Sequence, residues 1–138
     1  MAESASQPIR VLLCKSGLEE HDRGVRYVAR KLVESGMEVI YIVFHDPAEV
    51  ATVAVQERVD LVGLSSSAGG HLEVVRSIKA SLQDLGERSL PILLGGIIPD
   101  ADRLKLETLG VIGVFGPGSR PSEIVDAVRT AVSNTRET

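Results

Sequence analysis

The chain has 138 residues, 43% of them hydrophobic, which is the length and apolar content of one ordinary domain with a single core. Its 15 Lys and Arg residues against 19 Asp and Glu leave a net charge of -4, and no segment gathers the basic residues into a stripe that could follow a phosphate backbone, so no nucleic-acid partner is expected. No apolar run approaches the roughly 20 residues that cross a bilayer, and the polar N-terminus lacks a signal-peptide pattern, so the expected setting is cytoplasmic with no membrane contact.

Residues 1–8 have the composition of a tail, and residues 9–14 form the first of five short, β-branched-rich apolar runs. The single cysteine, Cys14, lies inside that run and reads as a small buried hydrophobe. After it comes a loop, Lys15 to Gly24, and then Val25, Val28, Ala29, Leu32 and Val33 at helical spacing, with Asp22 placed to cap the helix and Gly36 to end it. The second run covers residues 39–44, and Pro47 marks the next helix start. A third run, 61–64, leads through a loop of small residues into Leu72, Val75, Ile78, Lys79 and Leu82, a helix closed by Gly86. Runs at 92–94 and 111–115 are separated by a helix ending at Gly110, and Pro121 opens the last helix before a polar tail at 133–138.

Strict alternation of strands and helices, with runs apolar throughout rather than at every second residue, predicts a parallel sheet covered on both faces. The simplest solution is a flavodoxin-like, doubly wound, five-stranded sheet of order 2-1-3-4-5 occupying residues 9–132. In such a sheet ligands bind where the strand order reverses, at the carboxyl ends of the first and third strands. Aromatic residues are only 3% of the chain, while its 13 glycines lie largely between the apolar runs, so a ligand can approach the backbone closely but few acids and bases are available for catalysis.

The loop after the first strand carries an imidazole, His21, with a carboxylate, Glu19, two residues before it and an amine, Lys15, four before that. A neutral imidazole binds metal through one ring nitrogen while a carboxylate commonly holds the other N–H. One histidine builds no zinc site and no second ligand lies at zinc spacing, so a metal here arrives within its own macrocycle. Lys15 with Glu19 also fits an ordinary exposed ion pair, His71 a helix-start residue at the rim, and His45 a loop residue.

These residues resemble the cobalamin-binding domains of adenosylcobalamin-dependent acyl-CoA mutases, whose signature is Asp-x-His-x-x-Gly, then Ser-x-Leu, then Gly-Gly. Lys15, Gly17, Leu18, His21, Asp22, Arg23 and Gly24 stand where that family has its first motif. Gly63, Leu64 and Ser65 with Gly69 and His71 look like the second, and the stretch Gly95, Gly96, Ile97, Ile98, Pro99, Asp100 is similar to the third. Val114, Phe115, Gly116, Pro117 and Gly118 match a segment of the methylmalonyl-CoA mutase branch. Two positions depart from the pattern: the family Asp is Glu19 here, and the Leu of Ser-x-Leu is Ser67.

The resemblance implies that His21 is the lower axial ligand of cobalt, tuned by Glu19 and Lys15, with the cofactor's own benzimidazole displaced. The nucleotide tail would then thread between sheet and helices, with Ser65, Ser67, Gly95, Gly96 and Gly116 supplying room and polar contacts. Adenosylcobalamin would start a radical 1,2 carbon-skeleton rearrangement of a branched acyl-CoA bound by a large TIM-barrel subunit, in a heterotetramer of two large and two small subunits. Alternatives are a corrinoid carrier for methyl transfer, a corrinoid-sensing regulator, and a receiver-like signalling module. Methyl carriers usually bring a helical module ahead of this domain, and a regulator an effector domain. A receiver needs a phosphorylatable Asp at the end of its third strand, where this chain has Leu64 and Ser65.

Overall fold

A computed structural model describes residues 7–17, 23–66, 70–87, 89–116 and 118–137. Among them, strands and helices alternate as β1 (Arg10–Ser16), α1 (Arg23–Glu34), β2 (Glu38–Phe44), α2 (Pro47–Gln56) and β3 (Leu61–Ser65). The chain continues as α3 (His71–Asp84), β4 (Ile92–Gly95), α4 (Asp100–Thr108), β5 (Val111–Phe115) and α5 (Pro121–Glu137). Every strand pair is parallel and the order is β2-β1-β3-β4-β5, the flavodoxin-like arrangement expected from the alternation.

Side chains along a strand point alternately to its two faces, and in β1, β3 and β4 both faces are buried, while the edge strands β2 and β5 are only partly covered. Leu12, Cys14, Val62, Leu64, Ile92 and Leu94 pack with Val50, Ala54, Val75, Ile78, Leu82 and Leu106 from α2, α3 and α4. Val11, Leu13, Leu61 and Leu93 face the other way, toward Val25, Leu32, Val125, Val128 and Val132 of α1 and α5. This two-sided burial is why the central strands read as unbroken apolar runs.

Helix ends fall where the punctuation places them. Gly36, Gly86 and Gly110 follow α1, α3 and α4 with φ of 91°, 85° and 95°, the left-handed conformation that closes a helix without a Cβ penalty. At the start of α2, Asp46 accepts a hydrogen bond from the Ala48 N–H (3.0 Å), and Glu49 accepts from the Asp46 and His45 N–H groups (2.7 and 2.9 Å). That reciprocal box supplies backbone donors of the first turn with partners.

Two expectations are corrected. The polar stretch at 133–138 is no tail over its described part: α5 runs through Glu137, and Arg136 donates to Asp60 Oδ2 (3.3 Å) and to the Gln7 carbonyl (3.4 Å). Val33, counted in the apolar stripe of α1, is 56% exposed, because it lies beyond the arc that Val25 and Leu32 bury. Lys79, placed in the stripe of α3, is half-buried and donates to the Leu90 carbonyl (3.2 Å), and burial holds its amine below the usual lysine range. The proposed cap Asp22 lies outside the described residues.

Candidate functional site

Two rows of residues cross the sheet on the face covered by α1 and α5. The register aligns Leu13, Gly63, Leu93 and Gly113 in one row, and Lys15, Ser65, Gly95 and Phe115 in the next, toward the carboxyl edge. Glycine at β3 in the first row and Ser-Gly in the second leave short side chains or none facing the helices there, whereas the space over Gly113 is taken by Leu93 and Phe115. What remains is a cavity of about 680 Å³ between the sheet, α1 and α5.

Its inner wall is hydrocarbon: Val11, Leu13, Leu61 and Leu93 from the strands, Val25, Val28 and Leu32 from α1, and Val128 from α5. Toward the carboxyl edge it is lined by Gly24, Gly95, Gly96, Ile97, Gly116, Gly118 and Ser119. Tyr27, Ser65 and Ser119 are the polar side chains of the lining, and none of the described lining residues is charged. Protein interiors hold few voids larger than a water molecule, whereas binding pockets span roughly 300–1,000 Å³ and are mostly apolar with a few placed polar groups. Water filling this cavity would find few hydrogen-bond partners. The space suits an apolar ring or chain carrying a polar end at the mouth.

The edge is held by main-chain bonds. Gly96 donates to the Phe115 carbonyl (3.0 Å), Ser66 to the Gly95 carbonyl (2.9 Å) and Ser119 to the Gly116 carbonyl (3.2 Å). A Cβ added at Gly95 meets nothing nearer than the Phe115 carbonyl at 3.8 Å, so what this glycine leaves open is the cavity itself. Gly17 is different: a Cβ there would lie 2.5 Å from His45 Cε1, so the imidazole at the end of β2 packs against the bare backbone where β1 leaves the sheet.

Of the candidate residues read from sequence, Gly24, Ser65, Gly95, Gly96, Phe115, Gly116 and Gly118 come together around this cavity. Arg23 starts α1 on the exposed surface, and Gly17 sits beside His45 rather than in the lining. Lys15 is buried, 9% exposed, which corrects its reading as part of an exposed surface pair. His71 is the first residue of α3, as expected, but buried rather than standing at an open rim. Leu18, Glu19, His21, Asp22, Ser67, Gly69 and Pro117 lie outside the described residues. Among the described residues no group of three or more His, Cys, Asp or Glu side chains is placed to hold a metal ion, and no helix is long and apolar enough to cross a membrane.

Sequence reasoning did not single out the helix residues Tyr27, Val28, Ile124 and Val128 as site residues. They carry no mark in the chain, because an apolar residue over a cavity and one over a filled core look alike in sequence.

Comparison with known proteins matches residues 9–126 to the B12 binding domain family. The chain is 43% identical over 127 residues to the 2-hydroxyisobutanoyl-CoA mutase small subunit of Aquincola tertiaricarbonis, covering 91% of this chain and 93% of that one. It is 40% identical over 137 residues to the pivalyl-CoA mutase small subunit of Xanthobacter autotrophicus, covering 99% and 92%. Among solved structures, a cobalamin-binding protein from Desulfitobacterium hafniense superimposes with a TM-score of 0.71 at 21% identity, covering 94% of this chain and 62% of that one. The receiver domain of NarL from Mycobacterium tuberculosis does so with a TM-score of 0.69 at 20% identity, covering 92% and 98%. At these identities the structural likenesses show a shared fold and do not choose between ligands.

Proposed function

From the premise that this chain belongs to the B12 binding domain family and, within it, to the small subunits of acyl-CoA mutases, we propose that it carries adenosylcobalamin in the base-off form with His21 as the lower ligand of cobalt. The observation that carries this reading is the 680 Å³ apolar cavity, open at the carboxyl edge where β1 leads toward His21. Cobalt coordinated by a protein imidazole leaves the cofactor's own benzimidazole and its tail without their usual place. A slot floored by Gly63, Ser65 and Gly95 fits a flat bicyclic ring, while Ser65 and Ser119 offer hydroxyl groups to a polar tail.

In this reading Glu19 orients the His21 imidazole and Lys15, buried at the edge of β1, supports that carboxylate. Gly17, Leu18, Asp22, Arg23 and Gly24 seat the ring below, and Ser67, Gly69, Gly96, Phe115, Gly116, Pro117 and Gly118 border the tail. When bound, the cofactor supplies the homolytic cobalt–carbon bond that starts a radical 1,2 rearrangement. This chain's own work is binding, orientation and exclusion of water. The acyl-CoA is held by a large TIM-barrel subunit, two copies of each chain forming the assembly in the cytoplasm. In this reading selection of the acyl group belongs to that partner.

Titration of the purified chain with adenosylcobalamin, followed by absorbance, tests the proposal. The expected result is a base-off spectrum that disappears in His21→Ala, together with acyl-CoA mutase activity when the large subunit is added. Unchanged base-off binding in the variant overturns histidine ligation.

A further inference from the structure

Two polar side chains are buried among the described residues: Lys15, in the site above, and His71, which that site does not use. His71 opens α3 immediately after Gly70, whose φ of 70° sets the turn into the helix. Its Nε2 lies 2.9 Å from Asp102 Oδ2, in the first turn of α4, with the His71 side chain 9% and the Asp102 side chain 23% exposed. The contact spans 31 residues of sequence on the face opposite the cavity, above the core that α2, α3 and α4 cover.

Its position gives it a task. One end stands at the close of the β3–α3 connection, which begins at the cavity-lining Ser65, and the other follows the β4–α4 connection, where Gly95, Gly96 and Ile97 line the cavity. The same connections meet at the strand ends, where Ser66 donates to the Gly95 carbonyl at 2.9 Å. Two hydrogen bonds, one over the strand ends and one behind them, define the spacing of two arms where a single bond leaves a pivot. Both helices direct their positive dipole ends to this edge, and the Asp102 carboxylate lies where it offsets that charge. A half-buried carboxylate held by a buried imidazole is costly unless its geometry is satisfied, so the pair resists being pulled apart.

We propose that the His71–Asp102 hydrogen bond is a positioning strut that fixes the separation of the β3–α3 and β4–α4 connections and thereby sets how firmly the cavity mouth retains the tail of a bound cobamide. This inference rests on the cofactor reading above. Neither residue touches the cofactor; both act through Ser65, Gly95, Gly96 and Ile97.

The test measures the release rate of adenosylcobalamin from wild type, His71→Ala, Asp102→Ala and the double variant, with His71→Gln as the rescue that keeps an N–H donor. Val50→Ala, a buried truncation in α2, serves as a control that lowers stability without touching either connection. Each single variant is expected to release cofactor about tenfold faster, the double variant no faster than either single, and His71→Gln to recover most of the loss. Val50→Ala is expected to melt earlier with release unchanged. Equal release rates in all variants, or faster release that merely follows melting temperature and includes Val50→Ala, overturn the strut while leaving cobalamin binding intact. Should His71→Ala fail to fold, Asp102→Ala, on the more exposed side, decides alone. Wild type that binds no cobalamin overturns the cofactor reading and the strut with it.

Discussion

Leu13 and Gly63 face each other across the β1–β3 ladder, and Leu13 Cδ2 lies 2.6 Å from where a Gly63 Cβ would sit. The leucine therefore already occupies the space a side chain at 63 would need, and any substituent there drives Leu13 into the cavity. Gly63→Val is expected to lower stability by about 1–3 kcal/mol through overpacking while weakening adenosylcobalamin binding roughly tenfold or more. Calorimetric titration beside a thermal melt checks this; a variant that melts early yet binds like wild type would place the tail elsewhere.

Cys14 lies fully buried in β1, its thiol donating to the Gly63 carbonyl at 3.5 Å, and desolvation pushes the thiol well above the ordinary value of 9.0. The thiolate is the reactive form, so the folded protein should resist thiol reagents until denatured. A raised folded value also means that the stability contribution is complete below pH 9.0 and is lost as pH climbs past it. Alkaline melts of wild type and Cys14→Ala should converge as pH rises.

The Glu49 carboxyl is held below its ordinary value of 4.5, first by the Asp46 backbone N–H and next by that of His45. A depressed folded value contributes stability that is present above pH 4.5 and disappears as acid protonates the group. Glu49→Gln should remove that part of the acid dependence in melts taken on either side of the transition. Asp46→Ala, which deletes the other half of the box, should cost about 1 kcal/mol at neutral pH.

Arg136 ties the last turn of α5 to Asp60 before β3 and to Gln7. Both side chains of the ion pair are more than a quarter exposed, so Arg136→Ala is expected to cost less than about 1 kcal/mol, with a smaller difference at high salt. Hydrogen exchange should show faster opening of the final turn of α5 and little change in the strands.

Much of the fold is written in local pattern. The five apolar runs, Pro47 and Pro121 at helix starts, and Gly36, Gly86 and Gly110 at helix ends each report a backbone preference that needs no distant partner. The strand ends carry their glycines in the chain as well, so Gly95, Gly96, Gly116 and Gly118 mark the mouth in the sequence itself. Local pattern misled at the end of α5, where polar composition resembles a tail until Arg136 finds Asp60 across the domain.

Sequence alone determined the alternation of elements, the sheet order to expect and the edge where a ligand would lie, because strand and helix preferences act over a few residues and crossover handedness leaves few arrangements. Tertiary structure decided the rest. Whether Gly63, Ser65 and Gly95 border one shared slot depends on the register of neighbouring strands and on how α1 and α5 lie over them. Whether Lys15 is buried, and whether His71 meets an acid 31 residues away, depends on elements that only packing brings together. Cavities and long-range hydrogen bonds are properties of surfaces meeting, and the meeting surfaces come from segments that carry no mark of one another along the chain.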